Sequence, residues 1–292
     1  MTERVALARY TTIGTGGPAR WFARPETLDH LVALLADARD RNLRVEVVGL
    51  GSNLLVHDDG VDALVLKLSG ELAAAHVEGD VLVAGGGAPN AVCLHRARAA
   101  GLGGFEFASA IPGTAGGGVR MNAGAYGREW RDVLVDAVVV GENGPHTFTP
   151  EQLDLSYRHS ALGPGDVVAQ ARFRLEPSTP EAVKAKVAEL LAQRKATQPT
   201  NKRTFGSVFK NPSPELGAGR AIEECGLKGH QIGAALISPR HANFIENAGG
   251  ATSADCIALM AEARRHVYER FGVELEHEVV FVGELQLPLL ER

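Results

Sequence analysis

Gly103-Gly104-Phe105-Glu106-Phe107-Ala108-Ser109-Ala110-Ile111-Pro112-Gly113-Thr114-Ala115-Gly116-Gly117-Gly118 is a long run rich in glycine, and Met121-Asn122-Ala123-Gly124-Ala125-Tyr126-Gly127 follows almost at once. Glycine admits positive φ and lets a neighbour reach the main chain with no Cβ in the way. Ordering so many glycines costs conformational entropy on folding. The run therefore predicts a loop whose peptide N–H groups wrap an anion such as a phosphate or pyrophosphate. Ser109 and Thr114 would add hydroxyl groups, and Pro112 restrains the chain before any ligand arrives.

Two shorter glycine segments lie upstream, Tyr10-Thr11-Thr12-Ile13-Gly14-Thr15-Gly16-Gly17 and Gly49-Leu50-Gly51-Ser52-Asn53-Leu54. The second follows an apolar strand, Val45–Val48, which raises the question of a Rossmann dinucleotide loop. That fingerprint needs a third glycine or alanine opening a helix, and an acid about 20 residues on. Here Leu54-Leu55-Val56 continues as strand-like sequence and Asp58-Asp59-Gly60 reads as a turn, so the Rossmann reading fails on context. Three glycine segments in one domain suggest convergence on a single ligand.

The chain has 292 residues, 45% hydrophobic and 22% charged, with net charge −5 and a pI near 6.1. Such a chain is expected to be globular, with one large or two modest domains. The acidic balance argues against a nucleic-acid partner. Cys93, Cys225 and Cys256 are far apart and odd in number, which points to reduced thiols in a cytoplasmic protein. The N-terminus has no signal-like apolar core and no stretch is long enough to cross a bilayer, so no membrane association is expected. His277-Glu278-Val279-Val280-Phe281 lacks the second histidine of a zinc-protease helix, and no metal site is expected.

Apolar periodicity predicts helices over about 26–40, 89–100, 180–195, 217–225 and 253–271. Strands are expected at 45–48, 63–68, 81–84, about 133–140, 167–175, 232–238 and 273–282. Glu176-Pro177-Ser178-Thr179-Pro180 reads as a linker. The expected class is α+β, with one domain over 1–176 and a smaller one over 181–292. In the second half, the stretch from Arg194 through Lys210 holds five basic residues, and Phe205 and Phe209 bracket Gly206-Ser207. Two apolar anchors around one serine predict a hydroxyl pinned in place.

In order and spacing, these pieces resemble the UDP-N-acetylenolpyruvoylglucosamine reductase family (UDP-N-acetylmuramate dehydrogenase, MurB) over almost the whole chain. The resemblance is carried by Thr11–Gly17, Gly49–Leu55, Ile111–Thr114, Met121–Gly127, Tyr157-Arg158-His159-Ser160, Gly206–Pro212 and Gly272–Val279. It implies a first domain of the vanillyl-alcohol-oxidase (PCMH) type holding FAD, and a second domain for substrate. FAD would be held by Gly49, Gly51, Ser52, Asn53 and Leu54 from one loop. Ser109, Pro112, Gly113, Thr114 and Gly117 would come from the long run, and Asn122, Gly124 and Ala125 from the motif after it. NADPH would be the reductant and an enolpyruvyl UDP-sugar the substrate, in the making of peptidoglycan precursors.

By the same resemblance Arg158 polarises the substrate carboxylate, Ser207 is the proton donor, and Glu278 is a second polarising acid. A bare carboxylate would repel the charge that develops, so Glu278 serves that role best when it holds a proton or shares one with the intermediate. Tyr157, Lys210 and Asn211 would contact substrate. Only Leu162-Gly163-Pro164-Gly165-Asp166 separates the Tyr157-Arg158 motif from the next strand, so the chain resembles the shorter subtype, without the tyrosine-bearing loop of longer members. The other readings are a different oxidoreductase on the same flavin fold and a non-catalytic flavin or nucleotide-sugar binder. Neither has reason to keep Arg158, Ser207 and Glu278 together. Oligomeric state is not legible, and a monomer is favoured.

Overall fold

The computed structural model describes residues 1–290. Residues 291 and 292, the end of the expected second domain, lie outside the described residues. The chain forms two compact units, each discontinuous in sequence. One comprises Met1–Glu3, Trp21–Leu50 and Ala63–Arg194; the other comprises Arg4–Arg20, Gly51–Asp62 and Lys195–Arg292.

The first unit is built on a five-stranded antiparallel sheet in the order Gly144–Phe148, Leu134–Gly141, Val167–Arg174, Val81–Gly85, Ala75–Glu78. The three central strands carry the apolar runs that the sequence marks as strands. The two outer strands carry Pro145 and His146, or His76 and Glu78, and give no apolar signal. They are edge strands, where proline and charge are tolerated because one side of the backbone needs no partner.

Ala75, Ala84, Ala171 and Ala137 stand opposite one another across four of these strands. All four are buried in one core cluster with Ala115 and Val119. Small side chains on the sheet let the helix Ala115–Met121 come close. A Cβ on Gly116 would stand 2.8 Å from the carbonyl oxygen of Gly86, and one on Gly118 would stand 2.2 Å from the ring of Trp130. That ring packs with Phe105, Phe107 and Phe173 at centroid separations of 5.3–6.4 Å.

The long glycine run is therefore not one open loop. It contains a 3-10 turn over Glu106–Ala110 and the helix Ala115–Met121. The entropy cost of Gly116 and Gly118 is offset by close packing of protein on protein.

A second cluster in this unit places the helix Leu28–Asp40 against Leu64, Leu66, Val167 and Ala169. The helix opens on Thr27, whose side chain accepts from the His30 N–H. Arg44–Val47 pairs in parallel with Val61–Leu66, placing Arg44 opposite Ala63 and Val47 opposite Leu66. The segment that reads as a linker is partly tied down, because Glu176–Pro177 pairs with Leu102–Gly103. The helix after it runs over Pro180–Thr197.

The second unit packs the helices Ala218–Glu224 and Ser253–Phe271 around Phe205, Val208 and Phe209. The long helix opens on a capping box of Thr252 and Asp255 and closes on Gly272 at φ 65°. The expected strand at 232–238 is a hairpin, Gln231–Ile232 with Ala235–Ile237, turning at Gly233 where φ is 54°. The expected strand at 273–282 shrinks to Val280–Val282, paired in parallel with Leu54–Val56. Upstream, Phe209 and His277 form a single bridge. The alternation of charge from Glu274 to Glu278 imitates a strand, but the segment finds too few partners to complete a ladder.

Gly16 and Gly17 lie in this unit. A Cβ on Gly16 would meet the Val56 side chain at 2.7 Å, and one on Gly17 the Asp58 carbonyl at 2.2 Å. These glycines, too, let backbone meet the turn after Leu54–Val56. Among the described residues no helix is long and apolar enough to cross a membrane.

Candidate functional site

In the first unit, Gly49, Thr114 and Gly117 are brought together. Thr114 caps the helix Ala115–Met121, its Oγ1 accepting from the Gly117 N–H at 3.3 Å. A Cβ on Gly49 would touch that same Oγ1 at 2.8 Å. The first amides of the helix are satisfied inside the protein, Ala115 by the Ala88 carbonyl and Gly116 by the Gly86 carbonyl. The N–H groups of Gly49, Leu50, Gly113 and Thr114 have no hydrogen-bond partner among the described residues. These four amides, two from the run and two from the 49–50 segment, could meet an anion, whereas the triple glycine is largely taken up by the helix.

Ser109 Oγ is buried with no partner. A buried hydroxyl left unpaired is destabilising, so this one is open to a ligand atom. Gly117 meets only Thr114 Oγ1, at 3.5 Å, so its outer side is open. Unpaired amides, an orphan hydroxyl and a glycine facing open space fit a pyrophosphate-bearing group such as FAD. Lys67, which gave no signal in sequence beyond being a lysine in an apolar strand, donates from Nζ to the Gly49 carbonyl at 2.5 Å. Burial, then the charge of Arg24, holds its ammonium below the ordinary lysine range.

The motif after the helix is a scaffold. Asn122 is fully buried at φ 38° and closes the helix. Its Nδ2 donates to Glu129 Oε2 at 2.9 Å and to the Ser156 carbonyl at 3.0 Å, and its Oδ1 accepts from the Arg131 N–H at 3.0 Å. Gly124-Ala125 pairs with Arg128-Glu129 through a two-residue turn with Tyr126 at φ 54° and Gly127 at φ 77°. Both central angles are positive, the condition for a type I′ hairpin.

Arg158 sits at the tip of a tight turn closed by Ser156 and His159. Its φ of 54° costs about 1–2 kcal/mol for a residue with a Cβ. Its Nη2 donates to the Gly124 carbonyl at 2.8 Å, and its guanidinium lies 4.9 Å from the centroid of the exposed Tyr157 ring.

In the second unit, Ser52, Asn53, Ser207 and Glu278 form one neighbourhood. Gly206, at φ 83°, lies so close to the Ser52 carbonyl that a Cβ would reach it at 3.1 Å. Asn53 Nδ2 donates to the Glu278 carbonyl at 3.1 Å, and the Glu278 N–H donates to the Val208 carbonyl at 2.8 Å. Gly51, at φ 71°, is fixed against Tyr10 and Thr11, and Leu54 begins the paired strand.

Ser207 is half-buried, and its hydroxyl makes no hydrogen bond among the described residues. It is pinned as its neighbours suggest, with Phe205 and Phe209 buried on either side. The lock is a residue the sequence does not advertise. Asn243, 4% exposed, accepts from the Phe209 N–H at 2.9 Å and donates to the Phe209 carbonyl at 2.8 Å. Its own carbonyl takes the Val208 N–H.

Lys210 pairs with Glu276 at 2.6 Å. Asn211 is exposed, and its Oδ1 accepts from the Ala218 N–H at 3.0 Å. Among the described residues no group of three or more metal-ligating side chains is present.

Comparison with known proteins bears on this arrangement. Residues 19–147 match the family model described as FAD binding domain. Residues 198–282 match the one described as UDP-N-acetylenolpyruvoylglucosamine reductase, C-terminal domain. A UDP-N-acetylenolpyruvoylglucosamine reductase of Erythrobacter litoralis is 44% identical, over 97% of this chain and 88% of its own length. One of Anaeromyxobacter dehalogenans is 45% identical, over 95% of this chain and 84% of its own. The crystal structure of the enzyme of the same name from Thermus caldophilus superposes with a TM-score of 0.84, at 38% identity, covering 97% of this chain and 99% of that one.

Proposed function

Because the chain belongs to the UDP-N-acetylenolpyruvoylglucosamine reductase family, we propose that it is an FAD-dependent enzyme that uses NADPH to reduce UDP-N-acetylglucosamine enolpyruvate to UDP-N-acetylmuramate. The observation that carries this reading is the likeness to such reductases along 97% of the chain. On it the enzyme works as a cytoplasmic monomer in the synthesis of peptidoglycan precursors, and so in cell-wall growth, shape and division.

FAD, when bound, supplies hydride chemistry to the enol ether. The amides of Gly49, Leu50, Gly113 and Thr114, with Ser109 Oγ, would hold its pyrophosphate. The family likeness supports Gly124 and Ala125, and likewise Ser52 and Asn53, as further contacts to FAD.

The chain's own groups then meet the demands of the substrate. An enol ether already receives electrons from its oxygen, so the neighbouring carboxylate has to be polarised as charge arrives there. Arg158 holds that carboxylate, since its guanidinium keeps its proton and its fork fits two oxygens. Glu278 is the second polarising acid, a role it serves by holding a proton or sharing one with the intermediate. Ser207 Oγ delivers its proton to the carbon next to the carboxylate, completing the lactyl ether. Lys210 and Asn211 engage the diphosphate of the nucleotide, and the Tyr157 ring lines the approach to Arg158. The test follows NADPH oxidation with and without the enolpyruvyl UDP-sugar. Consumption that rises with the sugar and yields the lactyl ether is expected, and consumption that ignores it overturns the assignment.

A further inference from the structure

Glu129 has no part in the roles above, yet it is held by Asn122, Arg131 and Asp132 beside Arg158. It stands opposite Gly124 in the hairpin. Gly124 offers its carbonyl to Arg158 Nη2 at 2.8 Å, while Glu129 Oε1 lies 3.9 Å from Arg158 Nη1. Two groups facing each other across one ladder thus address the two terminal nitrogens of one guanidinium.

Both side chains are largely shielded, at 16% and 18% exposure, so the pair is less screened than a surface pair. At 3.9 Å the contact is electrostatic rather than a hydrogen bond. Glu129 is itself held from the other side. Its Oε2 takes the Asn122 Nδ2 bond at 2.9 Å and pairs with Arg131 Nε at 2.9 Å. The Glu129–Asp132 capping box fixes its backbone as well. Asn122 also ties down the Ser156 carbonyl at the base of the Arg158 turn.

We propose that Glu129 is a positioning residue that aims the Arg158 guanidinium at the substrate's carboxylate. The proposal rests on the reading of Arg158 given above. A side chain carried on a left-handed backbone at the tip of a two-residue turn needs restraint from outside the turn. A cation that stabilises developing charge acts well only when it is oriented beforehand. Arg131 on the far oxygen offsets part of the carboxylate charge, so Glu129 orients Arg158 without neutralising it.

The test uses the full-length, flavin-loaded chain. In Glu129→Gln the single-turnover rate of enolpyruvyl-sugar reduction falls about tenfold or more, while flavin reduction by NADPH stays within about twofold of the parent. In an Arg158→Lys background the same substitution changes the sugar step by less than about twofold, because a residue acting through Arg158 has nothing left to aim. Calorimetry with UDP-N-acetylmuramate follows binding independently of turnover, and there too the Glu129→Gln effect should vanish in the Arg158→Lys background. Equal loss in both half-reactions, or a full effect in the Arg158→Lys background, would reduce Glu129 to a structural part and overturn the proposal. If Glu129→Gln does not fold, Glu129→Asp keeps the charge and shortens the reach, and the same non-additivity is expected. A parent chain that ignores the enolpyruvyl sugar would instead sink the proposed function, so the two failures are told apart.

Discussion

The helix Ala115–Met121 and the segment Gly206–Lys210 both carry glycine next to groups assigned to ligands, and they use it in opposite ways. In the helix, Gly116 and Gly118 are pressed against the Gly86 backbone and the Trp130 ring, and Gly117 alone of the three has an open side. Around Ser207, a single glycine at φ 83° turns the chain, and the hydroxyl is held by large buried anchors and one buried asparagine. Dense glycine thus reports first on protein meeting protein. The groups left available to a ligand are the few amides and hydroxyls that the protein leaves unpaired.

The contrast is broken most severely at Ser207. Ser207→Ala should leave NADPH-driven flavin reduction intact and slow product formation on the order of 10²–10⁴-fold, as read in the two half-reactions separately. Loss of both steps together would contradict a proton-donor role.

Asn243→Ala comes next. It strands the buried N–H and carbonyl of Phe209 and should lower stability by about 2–4 kcal/mol in a denaturant titration. An unchanged midpoint would show that the Ser207 segment is held by the phenylalanines alone.

The glycine pair sharpens the other side. Gly118→Ala forces a methyl into the Trp130 ring and should cost about 1–3 kcal/mol, seen as a lower melting temperature of the apoprotein. Gly117→Ala meets only Thr114 Oγ1 at 3.5 Å and should stay within about 1 kcal/mol of the parent while weakening FAD binding. If the two substitutions behaved alike, the division between packing and ligand-facing glycines would fail.

The smallest effect is at the thiols. Burial pushes Cys93 and Cys256 up to about 12, and Cys225, half-buried, is raised as well. A raised thiol pKa means less thiolate at any given pH. Near pH 8 a thiol reagent should therefore find at most Cys225 in the native protein and all three after denaturation.

Much of this was legible from residues alone. The helices Leu28–Asp40, Asn90–Ala99 and Ser253–Phe271 follow their apolar periodicity within two residues of the expected bounds. The failed Rossmann reading also holds, because Leu54-Leu55-Val56 is a strand where that motif would place a helix. What escaped is what needs a partner distant in sequence to be recognised. The edge strands Ala75–Glu78 and Gly144–Phe148 are defined by the neighbour they pair with, not by an apolar run. Glu129, Lys67 and Asn243 act through contacts reaching from 18 to 34 residues along the chain. A polar residue between apolar ones, such as Asn243 between Ala242 and Phe244, was the only local sign, and it does not say what the residue holds.

The most direct measurement loads the protein with FAD, reduces it with one equivalent of NADPH under anaerobic conditions, and then adds the enolpyruvyl UDP-sugar. Return of the oxidised flavin absorbance, with one lactyl ether formed per flavin, is the predicted result. A flavin that stays reduced in the presence of the sugar would contradict the account.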